Sequence, residues 1–169
     1  MAGMIDNKIY KEIRDSFSAY LTEKKLRKTE ERYTILDEVC AFPGHFDTCM
    51  LHRKLSDTKY HVSRATLYNT LEVLMDAGLL IRHQINSKSV QYELRKKAET
   101  HLHFICTQCN CMREIKHPPT LIDNVNSLKN SITPEYFSLY VYGMCGRCKN
   151  KAQRKAQKIN QSYSNNKKK

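Results

Sequence analysis

The chain has 169 residues, with 29 Lys or Arg against 17 Asp or Glu, so its formal net charge at pH 7 is +12. This length accommodates one ordinary domain or two small ones, and small domains need a metal or a partner chain for stability. The apolar stretches are too short to span a bilayer, and the charged N-terminal turns exclude a secretory signal. We therefore expect a cytoplasmic protein that does not associate with a membrane.

A long first helix is predicted from an apolar residue at every fourth position. Ile5, Ile9, Ile13, Phe17 and Leu21 occupy these positions. Residues four apart lie on one side of an α-helix, so these side chains form a single apolar stripe. The stripe marks the face that this helix buries.

Three shorter helices are predicted after it, each from a capping residue. Thr29 caps the second helix, which stops before a Pro-Gly pair, and Asp47 or Thr48 caps the third. Ser63 caps the fourth helix, and Gly78 ends it at a position that favours a left-handed backbone.

Two short strands, Leu79 to Gln84 and Ser89 to Leu94, follow the fourth helix. Helices followed by a two-stranded ribbon predict a winged helix-turn-helix, in which the helix after Ser63 reads the major groove of DNA. Its first turns hold short polar groups, a cation and an aromatic ring, which suit phosphates and base edges. An ordinary amphipathic helix with a solvated polar face has the same composition. The candidate contacts are Ser63, Arg64, Thr66, Tyr68, Asn69 and Thr70.

Seven cysteines in a reducing compartment indicate metal binding rather than a disulfide scaffold. Two CxxC pairs, Cys106 with Cys109 and Cys145 with Cys148, predict a structural Zn²⁺ site with four thiolates. Redox-active or idle cysteines are the alternatives. Four thiolates leave no position for a catalytic water, which argues against an enzyme. The other cysteines are expected to be small buried apolar residues: Cys40, Cys49 and Cys111.

The spacer between the CxxC pairs accommodates a strand, a helix and a strand. We predict them at Met112 to Lys116, about Thr120 to Lys129, and Tyr136 to Tyr142. The last strand carries strand-forming residues on both faces, and pairing across a two-fold axis is the simplest way to cover its edge. The sequence therefore predicts a homodimer, which also suits a palindromic DNA site.

Histidines and carboxylates form a second candidate metal site. His101 and His103 alternate on a predicted strand, so both imidazoles face the same side. With Glu93, Glu114 and His45 they make a mixed N/O set that suits Fe²⁺, Mn²⁺ or Zn²⁺. A solvated loop residue is the alternative for His45. The remaining histidines are predicted to lie at the surface: His52, His61, His83 and His117.

The C-terminal tail is strongly basic. Lys149 to Lys169 contains eight basic residues and no acidic one, which suits a nucleic-acid partner, although a solvated tail has the same composition. Helix formers extend to about Ile159, and the segment from Ser162 to Lys169 is predicted to be disordered.

Six motifs follow one another along the chain: Arg27–Arg32, Gly44–Phe46, Ser63–Leu71, Asp76–Ile81, His101–Cys109 and Tyr140–Cys148. In this order and spacing they resemble the ferric uptake regulator family of metal-dependent repressors, over roughly Leu26 to Lys149. The resemblance implies an α+β protein. An N-terminal winged helix-turn-helix (residues 1–94) would precede a C-terminal α/β dimerisation lobe with a structural zinc site (residues 95–149). The basic tail is residues 150–169.

The resemblance also implies roles for individual residues. Cys106, Cys109, Cys145 and Cys148 match the structural zinc ligands. The regulatory metal ligands would be His45, Glu93, His101, His103 and Glu114. Ala65, Thr66 and Tyr68 match the base-reading stretch of the recognition helix.

The chain departs from the family pattern at four positions. Thr100, Leu102 and Phe137 replace polar groups of an auxiliary metal site, so we predict that this site is absent. Asn69 stands where an arginine usually follows the tyrosine, which should weaken a DNA contact that Arg64 compensates.

The expected function is a repressor that binds palindromic operator DNA as a homodimer when its regulatory site holds a metal. Fe²⁺ is the default ion for the family, with peroxide, zinc or manganese as alternative signals. Two other classes remain open: a metalloenzyme built on His101 and His103, and a zinc-ribbon protein that binds RNA. No substrate-binding motif accompanies the histidines, so we expect neither an enzyme nor a small-molecule substrate.

Overall fold

The computed structural model describes residues 5–57, 61–86, 89–98, 101–116, 120 and 137–166, with side chains through residue 158. The chain divides into two compact units, Met1–Thr100 and His101–Lys169. Within the described ranges, no helix combines the length and the apolar character needed to cross a membrane.

The elements of the first unit follow the predicted order, and four helices lead into a two-stranded ribbon. They are α1 (Asn7–Glu23), α2 (Glu30–Ala41), α3 (Thr48–Ser56), α4 (Arg64–Asp76), β1 (Leu80–Asn86), β2 (Ser89–Leu94) and the short α5 (Arg95–Ala98). This arrangement confirms the predicted winged helix-turn-helix. Strand β1 ends two residues later than predicted and contains an irregularity between Gln84 and Asn86.

Side-chain caps fix where the helices begin. The carboxylate of Asp47 accepts a hydrogen bond from the Met50 N–H at 2.7 Å, so Asp47 rather than Thr48 caps α3. Ser63 caps α4 as predicted. Thr29 occupies the N-cap position of α2 but its side chain makes no capping hydrogen bond. Gly78 has φ of +68°, a backbone conformation that glycine adopts without strain, and it ends the turn after α4.

A buried apolar cluster holds the first unit together. Helix α1 contributes Ile13, Phe17 and Leu21, which are three of the five residues in its predicted stripe. Polar contacts fix the same helix to α2. The Tyr10 hydroxyl donates to Asp37 at 2.6 Å, and the Arg14 guanidinium donates to the same carboxylate at 2.8 Å.

The second unit contains strands β3 (His101–Cys106), β4 (Met112–Lys116) and β5 (Tyr140–Gly143), and helix α6 (Gly146–Asn166). The strand order is β4-β3-β5, with β4 antiparallel and β5 parallel to β3. A parallel pair requires a crossover connection. The predicted helix at Thr120 to Lys129 falls in this connection and, apart from helical residue 120, lies outside the described residues.

Two predictions for the second unit need correction. The strand expected from Tyr136 begins only at Tyr140, because the described ladder with β3 extends over four residue pairs; Tyr136 itself is outside the described residues. Helix α6 continues to Asn166, although disorder was predicted from Ser162. No Pro or Gly follows Gly146, so nothing in the sequence forces this helix to stop at Ile159.

Candidate metal centres and nucleic-acid interface

Helix α4 presents a polar face at its N-terminal end. The Ser63 hydroxyl accepts a hydrogen bond from the Thr66 N–H at 3.1 Å and fixes the start of the helix. Leu67 and Leu71 are buried in the core, which turns the opposite face of the helix to solvent. The exposed side chains are those of Ser63, Arg64, Ala65, Tyr68 and Asn69, while Thr66 is half-buried. Thr70 is fully buried, so it is unavailable as a DNA contact and its prediction was wrong.

A groove separates α3 from α4 on this side of the first unit. Tyr68 is 48% exposed, and its hydroxyl lies 3.3 Å from the hydroxyl of Thr48. Arg53 and Arg64 also line the groove. Two guanidinium groups beside an exposed aromatic ring suit contacts with phosphates and bases. Cys49 lines the same groove and is exposed, so the prediction that it is buried was wrong.

A carboxylate and two imidazoles meet in the first unit. The Glu93 carboxylate is buried, and one of its oxygens lies 3.0 Å from Nε2 of His45 and 3.4 Å from Nε2 of His83. The chain brings them together because Phe46 pairs with Tyr92 through reciprocal hydrogen bonds of 3.0 and 2.7 Å. The residues before and after this bridge, His45 and Glu93, are therefore neighbours. A buried carboxylate needs such partners or a cation to offset its lost hydration.

His83 is a functional candidate that the sequence reading missed. It was predicted to lie at the surface, but its side chain is fully buried next to Glu93. The alternation of apolar and polar residues in β1 indicates this burial, since Ile81, His83 and Ile85 occupy the inward-facing positions of one strand. His52 is half-buried and His61 exposed, whereas His117 lies outside the described residues.

Two further imidazoles converge in the second unit. Nε2 of His101 and Nε2 of His103 are 3.1 Å apart. Two nitrogens that each lie about 2.1 Å from a tetrahedral ion are separated by about 3.4 Å, so this pair has the spacing of a chelate. Glu114 on β4 pairs directly with His103, which places its side chain on the same face of the sheet. His101, His103 and Glu114 are therefore candidate ligands that offer two imidazole nitrogens and a carboxylate within this unit.

The predicted auxiliary-site positions contain little that binds a metal. Leu102 is a buried apolar residue of β3, and Phe137 is half-buried. Thr100 lies outside the described residues.

Cysteine sulfurs cluster at the other end of β3. Sγ of Cys109 lies 3.8 Å from Sγ of Cys145. Sulfurs that each lie about 2.3 Å from a tetrahedral Zn²⁺ are about 3.8 Å from one another. The donor set and the spacing therefore fit zinc. The four sulfurs that lie within 4.8 Å of one another are those of Cys106, Cys109, Cys111 and Cys145.

Backbone N–H groups favour the thiolate at Cys106 and Cys109 in this cluster. The Cys145 N–H donates to Sγ of Cys106 at 3.3 Å, and this hydrogen bond is the main reason that the pKa of Cys106 falls to about 6. The thiol of Cys148 forms hydrogen bonds with the sulfurs of Cys109 and Cys145. These hydrogen bonds raise the pKa of Cys148 to about 12, and the one with Cys109 contributes most. Two more cysteine pKa values are strongly raised among the described residues. Hydrogen bonding with Cys109 is the main reason that the pKa of Cys111 rises to about 11, and burial in the apolar core of the first unit raises the pKa of Cys40 to about 12.

A family model for the ferric uptake regulator family matches residues 23–142, which is more than half of the chain. The chain belongs to the ferric uptake regulator family. This confirms the resemblance found in the sequence motifs. Members of the family are metal-responsive transcriptional regulators, and the winged helix of the first unit has the architecture that such regulators use.

Two relatives of this chain have names that refer to different signals, iron for one and peroxide for the other. The ferric uptake regulation protein of Neisseria meningitidis serogroup A is 29% identical over 146 residues, covering 80% of this chain and 95% of that protein. The peroxide-responsive repressor of Staphylococcus saprophyticus is 27% identical over 143 residues, covering 83% of this chain and 93% of that protein.

A solved member of the family shares the fold. The ferric uptake regulator of Vibrio cholerae, whose DNA-binding domains rearrange, is 28% identical, with a TM-score of 0.54. The match covers 74% of this chain and 96% of that one. The predicted fold class, a winged helix-turn-helix joined to an α/β dimerisation lobe, is confirmed by this likeness and by the order of elements.

Proposed function

We propose that this member of the ferric uptake regulator family is an Fe²⁺-responsive repressor that binds palindromic operator DNA as a homodimer. Residues 1–94 would bind DNA and residues 95–149 would dimerise, in the cytoplasm where the DNA is. The observation that carries the proposal is the pair of N/O ligand clusters, one in each unit. Neither cluster alone offers the number of ligands that Fe²⁺ prefers.

The regulatory ion would be held by His45 and Glu93 from the first unit and by His101, His103 and Glu114 from the second. These residues supply imidazole nitrogens and carboxylate oxygens, the donors that suit Fe²⁺ and Mn²⁺. Nε2 of His83 lies 3.4 Å from the Glu93 carboxylate, so His83 would help to orient that carboxylate toward the ion. A bound ion supplies a positive centre that ligands from both units can share.

Sharing of ligands between the units provides the coupling to DNA. If the ligands meet only in the arrangement that binds DNA, filling the site shifts the population toward that arrangement. A 100-fold preference for the DNA-binding arrangement corresponds to about 2.7 kcal/mol, which is a common coupling energy between two sites.

A structural zinc site would be formed by Cys106, Cys109, Cys145 and Cys148. Its role would be to stabilise the second unit, since four thiolates leave no open coordination position. This site and the absence of a substrate-binding motif support a regulator rather than an enzyme.

Exposed apolar side chains of the second unit support the homodimer. Tyr142 is 61% exposed, and Val141 and Met144 are also exposed on or next to β5, which is an edge strand of the sheet formed by the described residues. A second copy would cover this strand edge and its side chains.

Helix α6 adds a cationic stripe that supports a DNA partner. Arg147, Lys151, Arg154 and Lys158 recur at three- and four-residue intervals, so they lie on one face, and all four are exposed. No Asp or Glu follows Glu135 in the sequence, so acidic neighbours along the chain do not offset this charge. We expect the stripe to contact phosphates and to increase the salt dependence of binding.

The test uses the full chain and a pool of randomised DNA duplexes selected under anaerobic conditions with Fe²⁺. We expect the selected duplexes to be palindromic and to bind about 100-fold more weakly after removal of Fe²⁺. His101→Ala should abolish the response while zinc content is retained, and His61→Ala is the matched control because His61 is exposed. An affinity that does not change with Fe²⁺ would contradict the proposal.

The same selected duplex tests the recognition helix. Tyr68→Ala should weaken specific binding without changing metal uptake, because the exposed ring is lost. Tyr68→Phe keeps the ring and should bind nearly as well. Equal losses in both variants would assign the contact to the hydroxyl.

Peroxide is the second candidate signal, favoured by the match to a peroxide-responsive repressor. Exposure of the Fe²⁺-loaded protein to hydrogen peroxide distinguishes the two. Addition of oxygen to a ligand histidine, seen by peptide mass spectrometry together with loss of DNA binding, would establish peroxide sensing. The carboxylate of Glu114 argues for metal, since peroxide sensors tend to place Asp there.

A further inference from the structure

Cys111 lies outside both CxxC pairs, yet its sulfur belongs to the cluster. It is half-buried and immediately precedes β4. Its Sγ is among the four that lie within 4.8 Å of one another, together with those of Cys106, Cys109 and Cys145. Its position was predicted to be that of a buried apolar residue, and the structure instead places it among candidate ligands.

The turn after β3 explains how Cys111 reaches the cluster. The Cys106 N–H donates to the carbonyl of Cys111 at 3.0 Å, and the Asn110 N–H donates to the carbonyl of Cys106 at 2.8 Å. Asn110 has φ of +54°, a left-handed conformation that Asn tolerates better than most residues. These bonds fold the chain back so that Cys111 lies beside Cys106.

Cys148 reaches the cluster from a different element. It lies in the first turn of α6, and its thiol contacts Cys109 and Cys145 but is not among the four most closely grouped sulfurs. Cys111 also contacts Cys109 and Cys145. Five sulfurs therefore surround a site where tetrahedral zinc takes four.

We infer that Cys111 is an alternative fourth ligand of the structural zinc site and exchanges with Cys148. Cys106, Cys109 and Cys145 are the constant ligands, and the fourth position is taken by either of the other two thiolates. In the exchange, the incoming thiol loses a proton as its sulfur binds zinc, and the outgoing thiolate gains one. The inference rests on the zinc site proposed above.

The exchange has a structural consequence. When Cys148 is the fourth ligand, zinc links the first turn of the basic helix α6 to β3. When Cys111 is the fourth ligand, all four ligands lie in β3, in the turn before β4 and in the segment before α6. Cys145 ties the residue before α6 to the metal in both states, so the ligand choice controls whether the first turn of the cationic helix itself binds the metal.

Single and double variants test the exchange through zinc content and Co²⁺ spectra. We expect Cys111→Ser and Cys148→Ser each to retain one zinc per chain in the presence of a mild chelator, and each to give the absorption of a four-thiolate Co²⁺ site. The double variant should lose that spectrum. Cys49→Ser is the control, because this exposed cysteine lies in the first unit.

Brief alkylation of the zinc-loaded native protein provides a measurement that needs no variant. Native top-down mass spectrometry, which keeps both residues and the zinc in one ion, should find label on Cys111 in some chains and on Cys148 in others, but not on both in one zinc-bound chain. Label on Cys111 alone, with loss of zinc in Cys148→Ser, would overturn the exchange and make Cys148 the permanent ligand. The converse pattern would make Cys111 permanent and would also overturn it. Zinc retention by Cys106→Ser would instead contradict the zinc site itself.

Discussion

The two units of the chain are stabilised by different means. The first unit buries an apolar cluster to which α1 to α4 and both strands contribute. In the described part of the second unit, the buried residues include Leu102 and Ile105 next to Cys106 and Cys145, while large apolar side chains such as Tyr142 remain exposed. Apolar burial stabilises a domain by itself, whereas a small cysteine-rich lobe depends on its metal and on a partner surface.

Cysteine chemistry shows the same contrast. Burial among apolar side chains raises the pKa of Cys40 in the first unit to about 12, so this thiol stays protonated and inert. A backbone N–H aimed at its sulfur lowers the pKa of Cys106 in the second unit to about 6, which favours the thiolate that zinc requires. The residue type is the same, and its surroundings decide its role.

Loss of a zinc ligand should have the largest effect and should be confined to the second unit. Structural zinc contributes about 10–16 kcal/mol of binding free energy that is coupled to folding. Cys106→Ser should therefore lose zinc and unfold β3 and β4, while the first unit stays folded. Hydrogen exchange measured by mass spectrometry reports both units at once. Cys40→Ala is the control, since it should not change the zinc content, and fast exchange in α2 and α4 of Cys106→Ser would show that the units do not fold independently.

The reverse experiment removes apolar packing from the first unit. Leu71 is fully buried in the apolar cluster. Leu71→Ala should lower the free energy of unfolding of this unit by about 2–5 kcal/mol through lost burial and cavity formation. Zinc content should stay at the native value. Glu72→Ala, at the neighbouring exposed position, should change the stability by less than about 0.5 kcal/mol.

Most of the first unit could be predicted because its signals are local. The four-residue spacing of apolar residues in α1, the Ser63 cap and Gly78 each specify one element without reference to the rest of the chain. The family motifs added the order of the elements. Local patterns did not predict the bounds of β5, because pairing between distant segments determines them. The length of β5 follows from its register with β3.

The candidate sites were predicted less completely than the fold. His83 was missed because a histidine is usually exposed, and only its position in the alternation of β1 indicates burial. Cys111 was missed because it belongs to neither CxxC pair, and the left-handed turn at Asn110 that brings it to the cluster has no strong sequence signature. In both cases the backbone path, rather than a ligand motif, sets the position.

Alkaline pH should destabilise the first unit through Cys40. The raised pKa means that the folded state keeps this thiol neutral up to about pH 12, whereas the unfolded thiol ionises above about pH 8.5. The contribution of Cys40 is therefore fully present below about pH 8.5 and is lost as the pH rises toward 12. At pH 10 the loss amounts to about 2 kcal/mol. Urea unfolding gives the free energy of unfolding of the native protein and of Cys40→Ala at several pH values. The difference between the two proteins should shrink by this amount from neutral pH to pH 10. A constant difference would contradict the assignment.

The attachment of α1 should contribute least, because it rests on partly exposed polar groups. The Asp37 carboxylate accepts hydrogen bonds from Tyr10 and Arg14, and its side chain is 43% exposed. Solvent screening limits such a network, so Asp37→Ala should cost about 1 kcal/mol and speed hydrogen exchange in α1 more than in α4. The buried stripe of Ile13 and Phe17 would still hold the helix in place. A loss as large as that of Leu71→Ala would mean that polar contacts, rather than apolar burial, fix this helix, and the contrast between the two units would then be weaker than the packing indicates.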